Sequence, residues 1–339
     1  MNLSHGKLPN SILEKIFSKI NTFESDQRVL QGPDIGEDTA HISFGSKTLI
    51  VKTDPITFVS DNFEWYSLHV NANDIVTSGA IPKWFLATIL LPIGITEKKI
   101  LDIFKKLNHA AKEINVTIVG GHTEITLGLS QPIICGTMLG EIEASKALTT
   151  SNANVGDDII MYGYAGIEGT SILADKSQKT LLIQGVEKNV INKAKKFIKN
   201  PGISIIKPAL AAASTGLVTS MHDVTEGGIC TALNEISKAT KNGVKVYQDK
   251  IPILKETSNI CNKINLDPLG LISSGALLIT TSKKNSSKLI NNLLNKGYKI
   301  KKIGEITSNS ETLFINSYGE KTPIKKFYKD EIVRFFERS

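Results

Sequence analysis

Apolar positions at Ile12, Leu13, Ile16, Phe17 and Ile20 recur every three or four residues and predict a short helix over residues 9–22. Residues 39–44 and 48–52 are β-prone runs separated by Gly45-Ser46, the pattern of a hairpin. Residues 65–78 pass from mixed polar and apolar to small, as suits a helix packed closely on a sheet. Residues 85–91 form a continuous apolar run that reads as a buried strand closed by Pro92. Ile100, Ile103, Phe104, Leu107 and Ala111 mark one face of a helix over 96–113, with Thr96 placed to cap it. A strand over 115–119 then enters Gly120-Gly121-His122-Thr123-Glu124, and a further strand covers 132–141.

Strands alternating with helices give an α/β or α+β first domain. The polar, small-residue stretch 143–156 marks a boundary. Beyond it the pattern predicts strands at 157–164, 276–281, 304–307 and 313–316, and helices at 191–198, 209–216, 229–240 and 285–296. No short internal repeat is visible.

At 339 residues the chain accommodates two ordinary domains. Hydrophobic residues at 41% and charged residues at 22% describe a globular protein. The longest apolar run, 85–95, is too short to span a bilayer, and the first residues lack a signal peptide's apolar core, so the expected location is cytoplasmic. Three cysteines without paired spacing, Cys135, Cys230 and Cys261, argue against a disulfide framework or a cysteine metal site and read as buried thiols. The net charge of +7 is uneven: residues 1–150 carry 13 Lys and Arg against 16 Asp and Glu, and the remainder 27 against 17. The excess lysines are dispersed among Asn and Ser without interleaved aromatics, which favours a solvated surface over nucleic-acid binding.

Candidate chemistry lies in four acidic clauses: Gly36-Glu37-Asp38-Thr39-Ala40, Thr53-Asp54-Pro55, Asn71-Ala72-Asn73-Asp74, and His222-Asp223-Val224-Thr225-Glu226-Gly227-Gly228. Scattered single carboxylates suit Mg²⁺, which takes one or two of them together with phosphate oxygens. Singly, Asp38 and Asp74 also read as helix caps, Asp54 as a turn residue, and Asp223 as the opening of a helix. Gly120-Gly121-His122-Thr123 reads either as a nest of amides open to phosphate or as a tight turn; no Walker A lysine follows it. Gly166-Ile167-Glu168-Gly169-Thr170 reads as a phosphate-adjacent loop or a plain turn, Gly6-Lys7 as a nucleotide flap or a frayed end. Lys52 is either a screen for phosphate charge or a surface lysine. Trp65 and Trp84 read as core or interface aromatics.

Taken in order, these clauses resemble the PurM-like superfamily of ATP-dependent, AIR-synthase-related enzymes. Gly36-Glu37-Asp38-Thr39-Ala40 is similar to that family's Gly-Asp-Asp-Ala-Ala, Thr53-Asp54 to its Thr-Asp at a strand end, and Asn73-Asp74 with Ser78-Gly79-Ala80 to its Asn-Asp helix. Asp223-Val224-Thr225-Glu226-Gly227-Gly228 and Leu266-Asp267-Pro268-Leu269 resemble the HypE branch, and the wording around Gly32-Pro33-Asp34 and Lys52-Thr53-Asp54-Pro55 an archaeal HypE-like group. HypE carries a C-terminal cysteine that it modifies with ATP, whereas this sequence has no cysteine after Cys261; the tail-cysteine reaction is therefore not expected.

The resemblance implies a two-domain α+β fold, residues 1–148 and 155–339, with the first sheet forming a shared β-barrel in a homodimer. It implies ATP and Mg²⁺ as cofactors, held between the domains and across the dimer seam. Asp38, Asp54, Asp74 and Asp223 carry over as metal ligands, Asp54 and Asp74 also as catalytic groups. Gly36, Glu37, Lys52, Asn73, Gly120, Gly121, His122 and Thr123 carry over as cofactor-binding residues, with Glu124 able to replace His122. The implied activity is phosphorylation of an oxygen on a small substrate. The alternatives are a thiamine-monophosphate-kinase-like phosphotransferase and a nucleotide-binding scaffold dimer with a maturation-protein partner. Neither nucleic acid nor membrane is expected as a partner.

Overall fold

The computed structural model describes Leu8, residues 10–19, Glu24, 26–57 and 62–338; Gly6-Lys7 and the end of the first expected helix lie outside the described residues. The described residues belong to two compact units, one drawn from Met1–Asn21, Pro33–Glu37 and Leu148–Ser339, the other from Thr22–Gly32 and Asp38–Ala147. They are called here the carboxy-terminal and amino-terminal units.

Helix α1 (Asn10–Phe17) belongs to the carboxy-terminal unit, where Glu14 pairs with Lys238. The amino-terminal unit contains β1 (Val29–Gln31), β2 (Ala40–Phe44), β3 (Lys47–Ile56), α2 (Phe63–Thr77), β4 (Ile81–Pro92), α3 (Glu97–Glu113), β5 (Thr117–Thr126) and β6 (Ile133–Glu143). They form one six-stranded sheet in the order β1-β2-β3-β6-β4-β5, antiparallel except for the parallel pair β4 and β5. The expected hairpin is present, with Phe44 opposite Lys47 across Gly45-Ser46. Thr96 caps α3 by accepting the Lys99 amide at 3.3 Å, and Ile103, Leu107 and Ala111 are buried as the spacing requires. Phe104, expected on that buried face, is exposed.

Alternation along β4 separates the two faces of this sheet. Phe85, Ala87, Ile89 and Leu91 are buried, and so are their neighbours Ile134 and Met138 of β6. On the opposite face Trp84 and Leu86 are exposed at 36% and 37%. One face therefore packs against helix and the other is an open, partly apolar surface.

The carboxy-terminal unit continues with β7 (Asp157–Tyr162), α4 (Ile167–Lys176), α5 (Gln178–Ile183), α6 (Lys188–Ala194), α7 (Ile206–Ala213), β8 (Val218–Val224), α8 (Gly228–Thr240), β9 (Gly243–Tyr247), α9 (Lys255–Lys263), β10 (Ala276–Ser282), α10 (Lys283–Asn295), β11 (Ile300–Thr307), β12 (Thr312–Ile315), β13 (Lys321–Pro323) and α11 (Glu331–Phe336). Its seven-stranded sheet has the order β13-β12-β9-β11-β7-β10-β8. Ile159, Met161, Leu278, Ile229, Leu233 and Ile236 share its core. The loop expected at 166–170 is instead the start of α4. Gly166 adopts the left-handed conformation of a cap, and Thr170 Oγ1 donates to its carbonyl at 2.5 Å. No helix of the described residues is long and apolar enough to cross a membrane.

Candidate functional site

Alternation on β3 puts Lys52 and Asp54 on one face, opposite Met138 and Gly136 of β6. Met138 is fully buried, so this is the helix-covered face. Helix α2 brings Asp74 to it: Lys52 Nζ lies 3.3 Å from Asp74 Oδ2 and 3.6 Å from Asp54 Oδ2. Carboxylate oxygens of Asp38 and Asp74 come within 4.8 Å of each other. Two like charges at that separation repel by about 1 kcal/mol even in water and by more where solvent is scarce. Lys52 offsets part of this, and a hard divalent cation with oxygen-only donors fits the remainder.

The local roles differ from those expected of isolated residues. Asp54 is inside β3 rather than in a turn. Asp74 lies within α2, near its end, with its carbonyl taking the Thr77 hydroxyl at 2.6 Å, so it is not an N-cap. Asp38 leads into β2, not into a helix. Asn73 is buried on α2 beside Asp74, and Asn71 Nδ2 donates to the carbonyls of Ser67 at 2.8 Å and Asp54 at 3.4 Å.

Sequence patterns gave no notice of the triad just after Asp38. Thr39, His41 and Ser78 are buried and mutually within 2.8–3.2 Å, tying the start of β2 to the residue that closes α2. Burial pushes the His41 imidazole down to about 4, so it is neutral at physiological pH. A polar residue three positions after a suspected ligand is too common a feature to have flagged it.

Gly120, Gly121, His122 and Thr123 are not gathered with these carboxylates. Strand β5 runs straight through them, paired with β4 along its length, so no nest of amides forms after a strand end. The register places His122 beside Thr88 and Glu124 beside Leu90, on the open face, opposite to Lys52 and Asp54. Thr123 lies beside Ile89, three strands from β3, or about 14 Å at ordinary strand spacing. His122 Nε2 and Glu124 Oε2 are 3.2 Å apart and both exposed; the Thr126 hydroxyl and His122 hold the Glu124 carboxyl below its usual range.

Gly36 and Glu37 serve packing in the carboxy-terminal unit. The Glu37 carboxylate accepts the amides of Thr150 and Ser151 at 2.8 and 2.9 Å. A Cβ on Gly36 would stand 2.6 Å from the Glu235 carbonyl oxygen of α8, and its φ of +87° is one that glycine tolerates. Asp223 is buried on β8 opposite Leu277 of β10, and Gly227 rather than Asp223 caps α8. Beside it His222 lies between Glu235 (3.3 Å) and Thr150 (3.4 Å). The Gly227 amide donates to the buried Asp330 carboxylate at 2.6 Å. Cys230 and Cys261 are buried, and burial pushes both thiols up to about 12, which removes them as nucleophiles; Cys135 is half-buried.

Two family models match this chain in tandem: the N-terminal domain of AIR synthase related proteins over residues 36–142, and the C-terminal domain over 154–316. The chain belongs to the AIR synthase related family. Within that family it is 28% identical over 262 residues to a Methanocaldococcus jannaschii protein named for hydrogenase expression/formation, covering 75% of this chain and 74% of that protein. The family fold is shared with HypE in a HypE-HypF complex, at a TM-score of 0.75 and 20% identity over 94% of this chain and 100% of that one. It is also shared with AaThiL complexed with AMPPCP and TMP, at 0.71 and 19% over 96% and 100%. The expected PurM-like fold and the HypE-like resemblance both hold.

Proposed function

We propose that this AIR synthase related protein is an ATP- and Mg²⁺-dependent enzyme that phosphorylates an oxygen of a small substrate. The observation that carries the reading is Lys52 between Asp74 and Asp54 on the covered face of the sheet, at 3.3 and 3.6 Å, with a carboxylate oxygen of Asp38 within 4.8 Å of one of Asp74. AaThiL, of the same fold, is complexed with a nucleotide analogue.

In this reading Asp38, Asp54 and Asp74 are the donors for Mg²⁺ on the polyphosphate. The metal would supply charge neutralisation as the γ-phosphoryl group passes to the acceptor oxygen and ADP leaves. Lys52 offsets phosphate charge, and Asn73 supports Asp74 on α2. The protein acts as a cytoplasmic homodimer through the open sheet face, where Trp84 and Leu86 are exposed beside the edge strand β5. Gly120, Gly121, His122 and Thr123 line that face or its edge and would meet nucleotide only at the seam with a second copy. A maturation protein is the proposed protein partner; HypE, of the same fold, is found in a HypE-HypF complex.

A second reading, transfer of phosphate to thiamine monophosphate, is favoured by the TMP in the AaThiL complex. One assay separates the readings: ADP release from ATP and Mg²⁺, with and without thiamine monophosphate, in the parent chain and in Asp54→Asn and Asp74→Asn. The main reading expects turnover that falls at least about 100-fold in both variants. Thiamine diphosphate as product would establish the second reading. Nucleotide binding without any turnover would leave a scaffold and refute both.

A further inference from the structure

We infer that Thr39, His41 and Ser78 are positioning residues that set the separation of Asp38 and Asp74, a role that rests on the Mg²⁺ reading of those carboxylates. The Thr39 and Ser78 hydroxyls are 2.8 Å apart, and His41 Nε2 lies 3.1 Å from Thr39 Oγ1 and 3.2 Å from Ser78 Oγ. All three residues are buried, at 7% exposure for Thr39, 3% for His41 and 1% for Ser78.

Each corner of this triangle has a different footing. His41 is within β2, opposite the fully buried Ile50 of β3. Ser78 closes α2, and its amide donates to the Ile75 carbonyl at 3.3 Å. Thr39 stands ahead of β2, on irregular backbone between Asp38 and Ala40. Two corners therefore belong to regular elements, and the hydroxyl of the third ties the irregular stretch to them.

A carboxylate adjoins each end of that tie. Asp38 is the chain neighbour of Thr39, with its Cα about 3.8 Å away. Asp74 precedes Ser78 by one helical turn, so the two share a face of α2, and the Thr77 hydroxyl holds the Asp74 carbonyl at 2.6 Å. Oxygens of Asp38 and Asp74 come within 4.8 Å, a separation that their like charges oppose until a cation arrives. A fixed bridge beside both carboxylates holds them ready for the metal.

The chemistry of the three groups suits that task. Lys52 already places one positive charge beside Asp74. Two hydroxyls and a neutral imidazole hydrogen-bond without adding a second, which would compete with Mg²⁺ for the carboxylates. The simpler account is a polar cluster that only closes the packing between β2 and α2. That account expects lost stability and no change in how the metal couples to nucleotide.

The full chain is titrated with ATP by calorimetry, once in Mg²⁺ and once in chelator, and the ratio of the two affinities is read. The ratio isolates the metal's share, because a purely structural change moves both affinities alike. It is expected to be at least about tenfold in the parent. Thr39→Val, which keeps the shape and loses the hydroxyl, and Ser78→Ala reduce it to about twofold or less while keeping the parent's circular dichroism. Thr39→Ser keeps the hydroxyl and the parent's ratio, and His41→Phe, which leaves the two hydroxyls bonded to each other, lies between. Ile103→Val, a buried change on α3, lowers the melting temperature and leaves the ratio unchanged. A parent-like ratio in Thr39→Val and Ser78→Ala would overturn this inference and leave the ATP reading standing. An equal fall in Ile103→Val would overturn it as well. No gain from Mg²⁺ in the parent would overturn the ATP reading and this inference with it.

Discussion

Gly121 shows how a motif glycine acquires its reason only in three dimensions. Strand β5 carries an irregularity against β4 between Phe85 and Leu86, and beyond it the Gly121 backbone closes on Ala87 so tightly that a Cβ would stand 2.1 Å from the Ala87 carbonyl oxygen. Its φ of +151° adds strain for any L side chain. Gly121→Ala is therefore expected to lower unfolding free energy by about 2–3 kcal/mol in urea titration. Alanine at Gly128, where φ is +81° but nothing lies within 4 Å, costs only about 1 kcal/mol. Equal effects at the two positions would show that the close approach is not what requires glycine at 121. Gly36 belongs to the same class, since the Glu235 carbonyl leaves it no room for a side chain. At Gly36 and at Gly121 alike, the neighbour that leaves no room for a side chain is backbone.

Among the elements, α2 organises the candidate site. Thirteen of its fifteen residues are buried, although Glu64, Ser67, His69, Asn71, Asn73, Asp74 and Thr77 are polar, and a helix so placed must give its polar groups partners. It does so by holding Asp74 against Lys52 and Ser78 against the Thr39–His41 pair. The end of the carboxy-terminal unit is anchored differently: Asp330 caps α11 by accepting the Ile332 amide at 2.8 Å and also takes the Gly227 amide. Burial pushes Asp330 up to about 7, against the pull of those amides, and Glu168 likewise to about 7.

These shifts have opposite consequences in the two units. His41, depressed to about 4 when folded, binds its proton more readily in the unfolded chain, so its stabilisation is present above pH 6.5 and is lost as pH falls toward 4. Asp330 and Glu168 bind protons more tightly when folded. Their stabilisation is complete below about pH 4 and is lost as pH rises to 7. At their extremes these amount to about 3–4 kcal/mol each. Amide hydrogen exchange at pH 4.5 and 7 is expected to show β2 protected better at the higher pH and the α11 region at the lower. Parallel behaviour of both regions would contradict the assignment.

At the scale of the whole molecule, what the sequence disclosed was what local chemistry controls. The β2–β3 hairpin, the Thr96 cap and the core face of α3 follow from turn residues and periodicity, and the order of the acidic clauses carried the family. Less was legible where tertiary pairing decides. Strand β5 continues through Gly120-Gly121 because β4 supplies a partner, Asp223 is on a strand because β10 lies beside it, and Glu37 is taken up by amides more than a hundred residues away. The Trp65–His69–Glu113 contact joins two helices whose spacing in sequence announces nothing. The site's carboxylates were thus readable as residues, but the placing of Asp54 and Asp74 on either side of Lys52 was not.

The central claim is that this group binds nucleotide through Mg²⁺, and calorimetric titration of the full chain with ATP tests it most directly. One ATP per chain is expected in the presence of Mg²⁺, with affinity falling at least about tenfold when the metal is chelated and again in Asp74→Asn. An absence of binding, or binding equally tight without Mg²⁺ and in Asp74→Asn, would contradict the account.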